Sequence, residues 1–376
     1  MTSAPFKLNM VFHHPSTLKS DGNSGSQVRP YKMLCAFRQA GINVSEVTGD
    51  ARQRSQKIRA IKRRVDSGET FDFVYSESLS IPFAMSEAHR LPTHPFLDHN
   101  FLSFCDRNNI PVAMFYRDIF WRDNSYAQKL PWWARLITIP LYHFDWKQIK
   151  NHTTLLYLPS LEMASHLPDT NYQFQVLSLP PASSPHVTET KTLPDDTLKL
   201  LYIGGIEPPI YDLTPLLDSM QKSSSTKLTI CCRKTEWHKY KHLYERKLTE
   251  HIKIVHKSGK ELNDLYKEAD IQTLIRHPND YLDFAVPVKL FESIGHGVPV
   301  LSTPNSEAAR IIEKEGLGWV KDFKQIPHFL MELRTKPWMI RRAKLQVKNK
   351  QNRHSWEERA RNVCEDIIRH KQAFKR

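Results

Sequence analysis

The stretch Asp283-Phe284-Ala285-Val286-Pro287-Val288-Lys289-Leu290-Phe291-Glu292-Ser293-Ile294-Gly295-His296-Gly297-Val298-Pro299-Val300-Leu301 decides how the rest of the chain is read. Pro287 stands where a helix opens, since a residue in the first turn has no intrahelical use for its N–H. Gly295 and Gly297 stand where the helix stops, and Val298 to Leu301 reads as a short buried strand. A loop therefore runs into a helix N-terminus, whose free N–H groups and dipole favour an anion. Lys289 and Glu292 are three residues apart and share one face of the first turns.

A cation for phosphate beside a carboxylate for sugar hydroxyls is the chemistry of a nucleotide-sugar site. The stretch resembles the sugar-donor motif of GT-B glycosyltransferases, particularly the family 4-like retaining enzymes. Their pattern of proline, lysine, glutamate, small-residue turn and G-x-P-V is met by Pro287, Lys289, Glu292, Gly297, Pro299 and Val300. The second glutamate that the family often carries, eight positions before the helical one, is Phe284 here, with Asp283 beside it. The resemblance implies an α/β chain of GT-B fold: two Rossmann-like domains facing a central cleft, with a C-terminal helix crossing back to the N-terminal domain.

The 376 residues suffice for two domains with separate cores. The expected boundaries are 1–185 for an acceptor domain, 186–197 for a Pro/Ser-rich linker, 198–350 for a sugar-donor domain and 351–376 for the crossing helix. No apolar run reaches the roughly 18–20 residues of a membrane-spanning helix, and no signal peptide opens the chain. Five cysteines without a Cys-x-x-Cys fit a reduced, cytoplasmic setting better than a disulfide scaffold. Eighteen histidines show no ligand spacing, so no metal is expected. The net charge of +14 favours anionic partners.

In the N-terminal half, Leu8 to His13 reads as a strand, a Gly/Ser loop follows over 21–26, Arg29-Pro30 leads into a helix over Tyr31 to Ala40, and Ile42 to Val47 is the next strand. This opens a Rossmann-like half. Gly25 and Arg29 are the loop's candidates for the acceptor side. Arg52 to Arg64 is a basic helix whose default reading is a solvated face, with an anionic-lipid contact as the alternative. Phe71 to Tyr75 is a strand ending near Ser76 and Glu77, and Ile110 to Tyr116 ends at Arg117 and Asp118. Ligands of open α/β sheets bind at such carboxyl ends. Asp118 is the candidate to activate an acceptor hydroxyl, and His14 after the first strand is its rival. Glu77, Arg117 and Trp121 belong to the acceptor side, Trp121 and Phe120 being able to stack on a sugar. An Arg117–Asp118 pair that only fixes the loop is the alternative. Around Trp132, Trp133 and Arg135, aromatic and cationic residues flank an aliphatic stripe, the composition of a helix in a membrane interface. Packing on its own domain is the other reading of that segment. Leu155 to Pro159 and Val176 to Leu179 are strands, with a helix starting over Ser160 to His166.

In the C-terminal half, the strand Leu198 to Ile203 runs into Gly204-Gly205, followed by Ile206-Glu207-Pro208-Pro209 instead of the family's frequent basic residue. Strands over Lys227 to Cys232 and Ile252 to His256 end at Arg233 and His256. A helix over Glu261 to Glu268, a strand over Asp270 to Ile275 and a loop over Arg276 to Asp283 precede the motif. A helix over Ser306 to Glu315, a strand over Gly316 to Val320, and helices over Trp338 to Lys350 and Ser355 to His370 follow it. The resemblance places the sugar donor against Gly204, Gly205, Arg233, His256, Pro287, Val288, Lys289 and Glu292, with Glu292 on the ribose hydroxyls. It implies a metal-independent, retaining hexosyltransferase that uses a UDP- or GDP-linked donor as substrate, without a cofactor. The acceptor is then a glycan or a lipid-linked hydroxyl, in bacterial-type cell-surface polysaccharide or glycolipid assembly. The location is cytoplasmic or peripheral on the inner membrane face. A GT-B nucleotide-sugar epimerase and a basic nucleic-acid-binding protein are the alternatives, and no nucleic-acid motif supports the latter.

Overall fold

A computed structural model describes residues 8–20, 25–122, 130–186, 197–221 and 226–373. Two compact units divide the chain, one of residues 1–180 with 356–376 and one of residues 181–355.

In the first unit, β1 (Asn9–His13), β2 (Asn43–Val47), β3 (Phe73–Glu77), β4 (Val112–Phe115), β5 (Leu155–Leu158) and β6 (Gln175–Ser178) form a parallel sheet in the order β2-β1-β3-β4-β5-β6. The central strands are buried along their length, as expected of a sheet covered on both faces. The covering helices are α1 (Gly25–Gln39), α2 (Ala51–Asp66), α3 (Leu97–Arg107) and α4 (Trp132–His152). Phe37 of α1 packs on Tyr75 of β3 with ring centres 5.1 Å apart, which pins that helix to the sheet.

In the second unit, β7 (Leu198–Ile203), β8 (Thr226–Cys231), β9 (Ile252–Val255), β10 (Ile271–Leu274), β11 (Val300–Ser302) and β12 (Gly318–Val320) form a parallel sheet ordered β12-β11-β10-β7-β8-β9. Its helices are α5 (Thr214–Gln221), α6 (Lys234–Tyr240), α7 (Leu262–Glu268), α8 (Asp280–Phe284), α9 (Val288–Gly295), α10 (Glu307–Glu315), α11 (Ile326–Thr335) and α12 (Pro337–Lys350). Alternation along β7 feeds two cores: Leu200 and Tyr202 join Leu216, Leu217 and Leu330, while Leu201 and Ile203 join Leu265, Tyr266 and Val298. The chain extends outward on both sides of β7, so the strand order reverses between β7 and β10, and the crevice beyond their carboxyl ends is where such sheets take ligands. The last helix, α13 (Trp356–Ala373), belongs to the first unit and packs along α1. Tyr157 donates to Asp366 at 3.0 Å and Lys371 to Asp72 at 2.8 Å. No helix among the described residues is long and apolar enough to cross a membrane.

Several elements depart from the sequence expectations. Helix α1 starts at Gly25 and carries Pro30 inside it, rather than starting after Pro30. Helices α3, α6, α8 and α11 have no counterpart among the predicted elements, α8 falling in the stretch read as a loop, and Ser160 to His166 makes only a 3₁₀ turn over Glu162–His166. Helix α2 is not a fully solvated basic face. Arg54 is 1% exposed and grips Asp98 through Nε at 2.9 Å, with further bonds to the carbonyls of Pro15 and Gly49. Residues 21–24 of the Gly/Ser loop lie outside the described residues.

Candidate functional site

At the carboxyl edge of the second sheet, the start of α9 follows the reading of the motif with one change. Pro287 is the cap rather than the first helical residue: its backbone is extended (φ −73°, ψ 128°) and its carbonyl already accepts Leu290 N–H at 3.1 Å. Val288 is therefore the first helical residue. No side chain caps this end, so the N–H groups of Val288 and Lys289, ahead of the Leu290–Pro287 bond, have no capping acceptor. Lys289 Nζ lies 2.5 Å from Glu292 Oε2, each side chain about a quarter exposed. Tyr266 also donates to Glu292, at 3.4 Å. Burial and then the Glu292 charge push the Tyr266 phenol far above its ordinary value, so it stays a donor.

The far end of α9 closes on His296 and Gly297, the latter at φ +71°, where a side chain would be strained. The His296 ring is sandwiched between Tyr266 (4.2 Å) and His186 (3.9 Å). Its Nδ1 meets the Glu292 carbonyl at 2.8 Å and its Nε2 meets Asn263 at 3.1 Å. Burial lowers its pKa to about 4, which leaves a neutral ring that fixes the Glu292 turn of the helix.

The remaining second-unit candidates stand on the same edge. Gly204 N–H donates to the Cys231 carbonyl at 3.1 Å, so the glycine turn lies beside the end of β8. A Cβ on Gly205 would sit 3.2 Å from the Tyr211 ring and 3.3 Å from Glu236. Glu236 accepts Ile206 N–H at 3.1 Å and pairs with Arg233, whose side chain is 68% exposed. His256 is exposed, with Nδ1 2.9 Å from the Cys232 carbonyl. Burial raises the Cys231 thiol, while the Lys289 and Lys257 charges pull the other way, which marks α9 as a neighbour of this strand end. Phe284 is buried, and Asp283 beside it pairs with Arg310 at 2.9 Å.

At the carboxyl edge of the first sheet, Glu77 has no exposed surface and stands between two arginines, Arg29 at 3.3 Å and Arg117 at 3.1 Å, while accepting from Tyr75 at 2.8 Å. Arg29 is also buried. Its guanidinium lies 3.6 Å over the Phe115 ring, with bonds to the carbonyls of Leu179 and Pro180. The alternative of a local Arg117–Asp118 pair is not what forms: Arg117 binds Glu77 and the Ser78 carbonyl, while Asp118 Oδ1 accepts Phe120 N–H at 2.9 Å and shapes the turn. Trp121 is not available to stack on a sugar. It is buried, its face lies on Tyr142 (5.0 Å, 5° between planes), and its N–H reaches Tyr116 at 3.2 Å. Gly25 opens α1. His14 is buried beside these groups. Burial, then the Arg117 charge, lowers its pKa to about 3, and its Nε2 has no hydrogen-bond partner among the described residues.

Two features were beyond the sequence reading. One is a buried relay in which His13 joins Ser76 at 2.8 Å and Asp98 at 2.9 Å. Burial works to raise the Asp98 carboxyl, but His13 and Arg54 outweigh it and hold it low. With Ser76, His13 and Asp98 all at or below 1% exposure, the relay is an internal brace without access to substrate. The other is Arg276, which a loop assignment concealed. It is 8% exposed at the end of β10.

Two doubly wound, six-stranded parallel sheets with a returning terminal helix define the GT-B glycosyltransferase fold, and the chain has that fold. No protein-family model matches it, and no curated protein matches its sequence. Among solved structures it is similar to a sucrose-phosphate synthase from Thermosynechococcus elongatus, with a TM-score of 0.64 and 11% identity over 98% of this chain and 100% of that one. It is also similar to WaaG, a glycosyltransferase involved in lipopolysaccharide biosynthesis, with a TM-score of 0.57 and 14% identity over 95% and 99%. HepE from Anabaena, solved in complex with UDP and glucose, gives a TM-score of 0.57 and 12% identity over 96% and 99%. At these identities the likeness is one of fold.

Proposed function

We propose that the protein is a glycosyltransferase that moves a sugar from a nucleoside-diphosphate donor to an acceptor hydroxyl. One observation carries this reading: the uncapped start of α9 presents Lys289 and Glu292 on the ligand-binding edge of a doubly wound sheet, the same edge that carries the Gly204–Gly205 turn. In the reaction the bond from the sugar's anomeric carbon to the diphosphate oxygen breaks, a bond to the acceptor oxygen forms, and the acceptor hydroxyl's proton passes to the departing diphosphate oxygen. The leaving diphosphate gains negative charge. Lys289 and the α9 dipole are oriented to stabilise that charge, which is usually the largest contribution in such sites. Glu292 turns from Lys289 to the ribose hydroxyls when the donor arrives, freeing the ammonium for phosphate. Lys289 and the helix dipole supply the charge that a metal would otherwise bring, so transfer proceeds without one; retention at the anomeric carbon is taken from the resemblance of the Pro287–Val300 motif to that of retaining enzymes. UDP is the first donor nucleotide to test, because a structure of the same fold holds it.

On the acceptor side, Asp118 positions the hydroxyl. His14 offers a neutral Nε2 as a hydrogen-bond acceptor rather than a strong base, since its pKa of about 3 makes proton abstraction weak. The acceptor is membrane-borne in cell-surface glycan or glycolipid assembly. This is supported by the start of α4, where Trp132 (72%), Trp133 (57%), Leu136 (68%) and Ile137 (46%) are exposed together on a chain of net charge +14. Arg135 does not extend this face freely, as its Nε donates to the Leu130 carbonyl at 2.9 Å.

A thermal-shift panel of UDP- and GDP-sugars tests the reading, because a ligand that binds only the folded state stabilises by mass action, about 2.7 kcal/mol at a hundredfold excess over Kd. At least one nucleotide sugar raises the melting temperature of the wild type, with EDTA making no difference. A panel with no shift contradicts the proposal.

A further inference from the structure

Arg276 is a buried cation with no carboxylate in ion-pair range among the described residues. Its backbone N–H and carbonyl are both taken by the Thr303 hydroxyl, at 3.1 and 2.7 Å, which fixes where the side chain starts. The guanidinium then lies 5.0 Å over the Tyr211 ring, and its Nε has no hydrogen-bond partner. The neighbouring Tyr202 phenol meets the guanidinium but brings it no counter-charge: it is a neutral group, burial raises its pKa to about 12, and its own proton is donated to the Gly205 carbonyl at 2.5 Å. Elsewhere in the unit, the buried Asp270 is matched by Lys344 at 2.9 Å. Burying a guanidinium without a counter-charge costs several kcal/mol in general, so a folded protein keeps one where something else supplies the anion.

The location says what that anion is. Leu201 of β7 pairs with Gln272 of β10, and four residues further along the two strands lie Gly205 and Arg276. Those are the two carboxyl ends that flank the reversal of strand order. Tyr211, under the guanidinium, is the same ring that a Cβ on Gly205 would strike at 3.2 Å, so the cation and the glycine turn share one small neighbourhood. The residues after the turn, Ile206-Glu207-Pro208-Pro209, bring no cation to it. Arg233, a second arginine at this edge, is exposed and already paired with Glu236.

We propose that Arg276 is a diphosphate-binding residue, supplying from the end of β10 the guanidinium that clamps the phosphates of the sugar donor against the Gly204–Gly205 turn. The five N–H donors of a guanidinium in a fixed fork suit two adjacent phosphate oxygens, which a lysine at the same place would hold less well. The assignment rests on the sugar-donor reading of the second unit.

Calorimetric titration with UDP, GDP, UMP and GMP tests it in the wild type, Arg276→Gln, Arg276→Lys and Lys289→Ala. Arg276→Gln is expected to bind the diphosphate about 10- to 100-fold more weakly, the range for losing a charge-assisted bond, with a smaller loss for the monophosphate. Arg276→Lys is expected to fall between the two. The melting temperature of unliganded Arg276→Gln should equal or exceed that of the wild type, because an unpaired buried charge has been removed; a merely structural arginine would lower it. Unchanged diphosphate affinity in Arg276→Gln, beside a loss in Lys289→Ala, overturns the assignment and leaves the sugar-donor reading standing. If the wild type binds neither UDP nor GDP, both fall.

Discussion

Single residues decide the chemistry at both sheet edges, and burial sets what each can do. His14 and Glu77 stand on adjacent strand ends, yet one is kept neutral and the other is enclosed by Arg29 and Arg117. A histidine whose folded pKa lies below its unfolded value binds fewer protons folded than unfolded. Above pH 6.5 it contributes nothing to the pH dependence. As the pH falls from 6.5 toward 3, the unfolded state takes up a proton that the folded state refuses, and stability declines. For His14 this amounts to at most about 1.4 kcal/mol per pH unit in that window. Urea denaturation at pH 6.5 and 4.5 should show a shallower loss in His14→Gln than in the wild type; parallel losses would mean that His14 titrates normally. The residue types at this edge are legible in the sequence, but their states are not. Glu77 looks like a free acceptor-side carboxylate until Arg29, far away in sequence, closes over it. Trp121 looks like a sugar platform until Tyr142 covers its face. Arg276 reads as one more loop arginine, because a missing partner is a fact about three dimensions.

Among the elements, the clearest sequence signals are those whose physics is local. Helix α9 is bounded by Pro287 and by the His296–Gly297 turn, and both bounds follow from backbone chemistry that a sequence displays. Its position is set by tertiary fit as well: a Cβ on Gly295 would lie 2.2 Å from Ser183 Oγ, so only glycine lets this segment pack there. Helix α11 has apolar Ile326, Phe329, Leu330 and Leu333 on one face, a helical pattern that the sequence carries plainly although no helix was expected there. Helix α1 is harder to read, since Pro30 looks like a start and turns out to be interior. Helix α4 tests the membrane proposal at this scale. In liposome flotation with anionic vesicles, the wild type should float and the double variant Trp132→Ala, Trp133→Ala should float much less. Equal flotation would return that face to the reading of ordinary exposed surface.

At the level of the whole molecule, the alternation of strands and helices in two sets specifies two doubly wound sheets. Their strands read as apolar runs because helices cover both faces. Fold class is therefore legible at low sequence similarity, as the likeness to structures at 11–14% identity demonstrates. The acceptor is far less legible. The first sheet's edge is built largely from buried groups that satisfy one another, His14 Nε2 apart, rather than from a contiguous motif, so its residues announce a brace more clearly than a substrate. The second sheet's edge carries a compact motif and an uncompensated arginine, and the proposed activity stands or falls there.

The most direct measurement follows a labelled sugar from the nucleotide donor identified by thermal shift to a lipid-extract acceptor. Wild type, Lys289→Ala and Glu292→Ala are compared at equal folded concentration. The account predicts transfer by the wild type, a loss of about 100-fold or more in Lys289→Ala, the scale on which removing one group that stabilises developing charge acts, and a clear loss in Glu292→Ala, which gives up its hold on the ribose. Wild-type rates in both variants would contradict it.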